Sequence, residues 1–145
     1  MLNYTTKIEA RKTVGEVQEL LAGQGARKII IDYDDTGQPT GLTFIIMWQG
    51  IPTLFALPCR YEGVQRALAK NPKIGPTGRS KEQALRVAWR VIKDWVAAQL
   101  AIIEAEAVSL PEVFLPYAVT KDGGTLYELA LSKREQLQLS APGGG

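Results

Sequence analysis

The sequence predicts an α+β fold: a small antiparallel β-sheet packed on helices, with one long helix in the C-terminal half. Three observations predict it. Residues 28–33, 42–48 and 51–57 are short β-branched or apolar runs separated by dense turn formers. From residue 81 to about residue 107, apolar side chains recur at helical spacing without a Gly or Pro. Four Ser/Thr-x-x-Glu/Gln boxes, opening at Thr13, Ser80, Ser109 and Thr125, mark helix starts.

The elements follow in order. Residues 4–10 alternate, with Tyr4, Thr6 and Ile8 on one side and Thr5, Lys7 and Glu9 on the other, which predicts a short N-terminal strand. Thr13 is the expected cap of a helix carrying Val14, Val17 and Leu21 on one face, stopped by Gly23 and Gly25. A meander of three strands comes next. Residues 42–48 are nearly all apolar, which predicts a central strand covered on both faces. Gln49-Gly50 is a tight turn, and Pro52 suits an edge position in the third strand. Residues 61–69 form a helix with Val64, Ala67 and Leu68 inward. Residues 71–79, with Pro72, Gly75, Pro76 and Gly78, are a basic loop. The long helix carries a stripe of Leu85, Trp89, Ile92, Trp95, Ile102 and Ile103. Ser109 opens a short helix that Pro116 ends. Thr125 opens a last helix to about Gln136, for which a strand paired with residues 117–120 is the alternative. The chain reads as one domain over residues 1–140, with a disordered tail at 141–145.

Composition narrows the chemistry. The 145 residues include one Cys and no His. Imidazole-based catalysis, a Cys–His pair and a Cys-rich zinc site are therefore excluded, as is an intramolecular disulfide. No apolar run approaches a membrane span, and residues 1–7 lack an apolar core behind a basic start, so a cytoplasmic location is expected. No cofactor is expected.

The net charge of +2 conceals an asymmetry. Residues 60–93 carry nine basic side chains against Glu62 and Glu82, a balance of +7, while the rest of the chain stands at −5. On the long helix Arg86, Arg90 and Lys93 are spaced by four and three and share a face, where like charges repel unless an anion meets them. The loop ahead of that helix leads into its N-terminus, where free N–H groups and the dipole favour negative charge. Lys70, Lys73, Arg79, Lys81, Arg86, Arg90 and Lys93 are accordingly the candidate contacts to phosphates. Two other readings stand beside this one. The cations could pair with the acidic remainder of this chain or of a second subunit, with Arg86–Glu82 and Arg90–Asp94 as local pairs, or they could form a solvated face.

Four further features merit weighing. Asp32 and Asp34 alternate along a strand, and two such carboxylates can hold Mg²⁺ for nuclease chemistry; the same residues with Asp35, Thr36 and Gly37 also satisfy a turn. Cys59 sits beside Arg60, whose charge favours the thiolate. Gly75, Gly78 and Ser80-Lys81 lack the spacing of a phosphate loop. Trp48, next to a turn, is placed either to stack on a base or to pack at the sheet edge. Trp89 and Trp95 read as core or as a subunit interface.

Two resemblances carry expectations. The helix–three strands–helix order resembles the double-stranded-RNA-binding domain, which also presents basic residues at its second helix. That family's His in the first hairpin loop and its lysine pair opening the second helix are missing here, since the second helix opens near Arg60-Tyr61-Glu62. None of its RNA-binding residues is carried over. The stretch 81–106, with Ala88-Trp89-Arg90 and Lys93-Asp94-Trp95, and the segment Leu115-Pro116-Tyr117 are similar to small proteins of tailed bacteriophages and prophages. The resemblance implies a host-cell context in which short non-enzymatic proteins bind nucleic acid or block a host defence. The expected function is phosphate contact through residues 60–93 by an oligomer joined through its long helix. The alternatives are an anti-defence protein that binds a host immune protein or sequesters a nucleotide signal, and a Mg²⁺-dependent nuclease.

Overall fold

The computed structural model describes residues 4–143, and its fold is α+β. Helix α1 (Ala10–Gly23) leads into strands β1 (Lys28–Tyr33), β2 (Pro39–Trp48) and β3 (Ile51–Pro58). Helices α2 (Glu62–Lys70), α3 (Lys81–Glu104), α4 (Leu110–Phe114) and α5 (Leu126–Ser132) follow. Short 3-10 turns at Pro76–Arg79, Leu115–Tyr117 and Arg134–Leu137 join or follow the helices. The strands form one antiparallel meander in the order β1-β2-β3.

The β2–β3 hairpin closes at Gln49-Gly50, both with positive φ (50° and 79°). That backbone matches the twist of the strands, and Gly50 adopts it without a Cβ penalty. Across β1–β2 the register runs from Lys28↔Ile45 to Asp32↔Gly41 and then slips to Tyr33↔Pro39. Thr40 is thus the extra residue of a bulge in β2. Leu42, Phe44 and Ile46 point into the core, as do Phe55 and Leu57 of β3. Residues between them point outward, and Ile30, Met47 and Leu54 on that side are 42, 39 and 39 % exposed. The expectation that residues 42–48 are covered on both faces is therefore corrected. All the helices that share the core pack on one face, leaving β2 with an alternating pattern.

The core lies between that face and α1, α3 and α4. Phe44 stacks on Phe55 at 5.4 Å and meets Phe114 edge-on at 5.5 Å. Phe114 in turn meets Trp95 at 5.4 Å, and Trp95 meets Tyr117 at 5.8 Å. Trp89 is fully buried, and its indole N–H donates to the Pro39 carbonyl at 2.9 Å. The stripe of α3 is broader than its apolar spacing suggests. Ala84, Val87, Val96 and Leu100 are buried, whereas Ile102 is 42 % exposed. No helix among the described residues is long and apolar enough to cross a membrane.

The expected N-terminal strand is absent: residues 6–9 are irregular and α1 begins at Ala10. Thr13 therefore lies inside the helix rather than at its cap. It is fully buried, and its hydroxyl has no hydrogen-bond partner among the described residues. The boxes at Ser109 and Thr125 form as expected, with reciprocal bonds to Glu112 and Glu128. The Ser80 box forms by half. Its hydroxyl accepts from the Gln83 N–H at 3.1 Å, but the Gln83 amide turns away to donate to the carbonyls of Tyr4 and Thr6 at 2.9 and 3.0 Å. That side chain pins the N-terminal segment. The strand alternative for the C-terminal region survives only as isolated bridges, Phe55↔Ala118 and Val119↔Thr125. α5 stops at Ser132, short of the expected Gln136, and gives way to a 3-10 turn. Of the expected disordered tail, residues 141–143 are exposed, and 144–145 lie outside the described residues.

A buried hydroxyl without a partner costs about 1–3 kcal/mol of desolvation. Thr13→Val removes it at nearly constant shape. The expected result is a gain of about 1 kcal/mol in unfolding free energy, read from urea melts, with an unchanged slope.

Candidate polyanion interface

The structure distributes the seven candidate cations among three places. Lys81, first residue of α3, reaches back to the β1–β2 turn and pairs with Asp34 at 2.9 Å, its ammonium 5.3 Å from the centre of the Tyr61 ring. Lys93 pairs with Glu16 of α1, and Arg90 lies close enough to help hold that carboxyl below its ordinary value, after Lys93 itself. Among the described residues Arg90 forms no ion pair of its own, so the expected Arg90–Asp94 contact is not made. Lys70, Lys73, Arg79 and Arg86 belong to the third place, the end of α2 and the loop and helix start that follow.

That loop is held in shape by local bonds. The Asn71 side chain accepts the Lys73 N–H at 3.0 Å, and the Arg79 Nε–H donates to the Ile74 carbonyl at 2.9 Å. Gly78 is required here, because a Cβ would sit 2.7 Å from the Ile74 Cγ2. Between this loop and the N-terminal segment lies a hollow of about 500 Å³. Lys7, Lys73 and Arg86 line it, with the hydroxyl-bearing Thr5 and Thr77 and the bare backbone of Gly75. Among the described residues no carboxylate lines it. Arg86 is fixed from two sides, donating to Glu82 at 2.9 Å and to the side-chain Oε1 of Gln83 at 3.2 Å. The adjoining notch, lined by Glu9, Arg11, Gln38, Glu82 and Arg86, carries two carboxylates and ends the positive surface.

The hollow unites Lys73 and Arg86 and adds Lys7, whose sequence neighbourhood predicts a strand. No local pattern marks Lys7. Its position depends on the Gln83 amide, which bridges nearly eighty residues of chain to seize the Tyr4 and Thr6 carbonyls. Lys70 and Lys73 are exposed and form no ion pair among the described residues. They remain open to an external anion.

Asp34 is held by many donors. Its Oδ1 accepts from the Thr36 N–H and hydroxyl and from the Gln38 N–H, at 2.7–2.9 Å. With Lys81 on the other oxygen, its carboxyl lies well below the ordinary carboxylate range, Lys81 being the largest cause. These contacts occupy the oxygens that a metal would need, and Asp32 lies on the exposed outer side of β1. Among the described residues no three acidic or Cys side chains cluster as a metal site. Cys59 is buried, and burial pushes its thiol up to about 12, with the Glu62 charge adding to the rise. This opposes the shift that neighbouring Arg60 suggests from sequence, because desolvation outweighs a solvated charge. Trp48 is 37 % exposed at the far end of the sheet, away from the hollow's lining.

Two outcomes follow. Asp34 has a lowered value when folded, so its contribution is complete above the ordinary 3.8 and is lost as pH falls below it. Lys81 has a raised value, so its contribution is complete below the ordinary 10.5 and is lost as pH rises through the folded value. Thermal melts across pH are therefore expected to show a smaller acid drop in Tm for Lys81→Met than for the unaltered chain. Cys59 is expected to resist a disulfide reagent at mildly alkaline pH in the folded chain and to react fully in denaturant, as read by thiolate release.

In comparisons with protein families, with curated proteins and with solved structures, no match to this chain is found.

Proposed function

We propose that the chain binds nucleic acid through its phosphates, at the hollow between the N-terminal segment and the loop that enters α3, and performs no chemistry on it. The observation that carries this reading is the lining: Lys7, Lys73 and Arg86 with no carboxylate among them. Threonine hydroxyls and a glycine backbone suit a phosphate oxygen, which takes several donors at close approach. Lys70, at the end of α2, extends the cationic path, and Arg79 stands at the loop's exit. Nothing in the lining reads base edges, so the reading is of backbone contact without sequence preference. Lys81 and Lys93 serve the fold in this account, since each is paired with a carboxylate of another element, whereas Arg86 pairs within its own helix, to Glu82, and still lines the hollow. If the chain is of bacteriophage origin, as the resemblance of residues 81–106 implies, the nucleic acid would be met in a host cytoplasm.

The size of the hollow favours one second reading. A volume of about 500 Å³ suits a small ligand as well as a stretch of backbone. A phage protein that sequesters a phosphorylated nucleotide signal, and so blunts a host defence, would use the same three cations.

Fluorescence anisotropy with single- and double-stranded oligonucleotides tests the first reading. Binding at about 50 mM salt is expected, with log affinity falling against log salt at a slope of about −3 for three phosphate contacts on a duplex. Lys73→Glu is expected to weaken binding at least tenfold, and Lys121→Glu, outside the hollow, to leave it unchanged. No binding of either oligonucleotide at low salt overturns the reading. Stoichiometric heat with a cyclic dinucleotide, and none with long DNA, transfers it to the second.

A further inference from the structure

We infer that β1 is a self-recognition strand, through which two copies of this chain join edge to edge in a two-fold, six-stranded sheet. The two edges of the sheet differ. On the β3 side the chain covers its own edge: the Val119 N–H donates to the Leu54 carbonyl at 2.8 Å, and Ala118 bridges Phe55. The outer edge of β1 has no strand partner among the described residues. Of the usual guards of an open edge β1 carries charge alone, and its two charges, Lys28 and Asp32, are of opposite sign. It contains no Pro, and the bulge lies in β2 at Thr40.

What identifies a second copy as the occupant is charge complementarity. In an antiparallel pair related by a two-fold axis, facing residues have a constant sum of numbers, and side chains share a face only if that sum is even. With the axis at Ile30, Lys28 faces Asp32 of the other copy, and Asp32 faces its Lys28. Ile30 then meets Ile30, Ile29 meets Ile31, and Arg27 meets Tyr33. Every pair is complementary: two opposite charges, apolar on apolar, and a guanidinium beside a phenol ring. Moving the axis to Ile29 sets Lys28 against Ile30, and moving it to Ile31 sets Asp32 against Ile30. Only one register satisfies the strand.

The side chains concerned are available. Lys28 and Asp32 are exposed and form no ion pair among the described residues, and Tyr33 is 57 % exposed. Ile30 is 42 % exposed on the outer face, where it lies opposite Thr43 and diagonal to the half-buried Ile45, whose partner on β3 is the exposed Leu54. Joining two sheets at β1 makes one continuous outer surface of these residues. This inference is independent of the phosphate reading, because none of its residues lines the hollow.

Sedimentation velocity over a concentration series, with circular dichroism to verify folding, tests it. The unaltered chain is expected to be a dimer in reversible exchange with monomer. K28D and D32K each turn two attractive cross-strand pairs into two repulsive ones, and each is expected to weaken dimerisation at least tenfold. Mixed in equal amounts, they are expected to form a heterodimer. One variant then presents only negative charge at positions 28 and 32, the other only positive. Recovery in the mixture excludes a folding defect as the cause of the single losses. A chain that stays monomeric at the highest soluble concentration overturns the inference, as does a dimer that withstands both variants or a mixture without heterodimer.

Discussion

The placement of α3 depends on one buried hydrogen bond. Trp89 is fully enclosed, and an indole N–H taken out of water must find an acceptor or cost the fold about 1–3 kcal/mol. The Pro39 carbonyl provides it. Pro39 is the first residue of β2, just before the bulge at Thr40, so the bond sets both the height of α3 above the sheet and its position along it. Other long-range contacts of α3 fall into place around this point. One turn or two before Trp89, Lys81 meets the β1–β2 turn and Gln83 meets the N-terminal segment. One turn after it, Lys93 meets α1. The helix is a spine to which the hairpin, the first helix and the N-terminal segment are each fastened by a polar contact.

This arrangement resolves the charge asymmetry in an unequal way. The basic stretch and the acidic remainder do meet, through Lys81 with Asp34 and Lys93 with Glu16. Such half-exposed pairs add little net stability, since water and side-chain entropy offset most of the attraction. They act more as position markers, telling the helix which neighbour lies where. The cations left over among the described residues are those at the end of α2 and on the loop, Lys70 and Lys73, while Arg86 is paired only within its own helix, to Glu82. The surplus is local, and it collects at a concavity.

The three strands of the meander were readable from the sequence, β1 to the residue and β3 to within one, because β-branched runs and turn formers such as Gln49-Gly50 act locally; β2 begins at Pro39, three residues before the expected start and inside the run that reads as a turn. The two complete capping boxes were readable for the same reason. Thr13 misled because the box pattern cannot tell a cap from a helix interior. The helix starts four residues earlier, at Ala10 with Glu9 at the cap position, after a segment whose polar alternation imitates a strand. The outer side of β2 misled because an apolar strand reads the same whether a helix, another subunit or water covers it. Half of the hollow was legible: Lys73 and Arg86 stood out by their charge density. Lys7 did not, because its place depends on a contact between residues far apart in sequence, and single-sequence periodicity carries no record of that.

The Gln83 amide has a consequence for how this concavity behaves as a mechanical object. One wall is α3 and its loop, shaped by their own backbone bonds. The facing wall is a strip of chain with no regular structure, riveted to the first wall by one amide group at two carbonyls. The gap between them is therefore not a property of either wall but of a single side-chain rotamer. A change in that rotamer would release the segment that carries Lys7 and remove one of the two contacts that fix Arg86, while Lys73 keeps the local bonds of its own loop. The positive surface thus has one stiff half and one compliant half, and the compliance resides in a neutral residue.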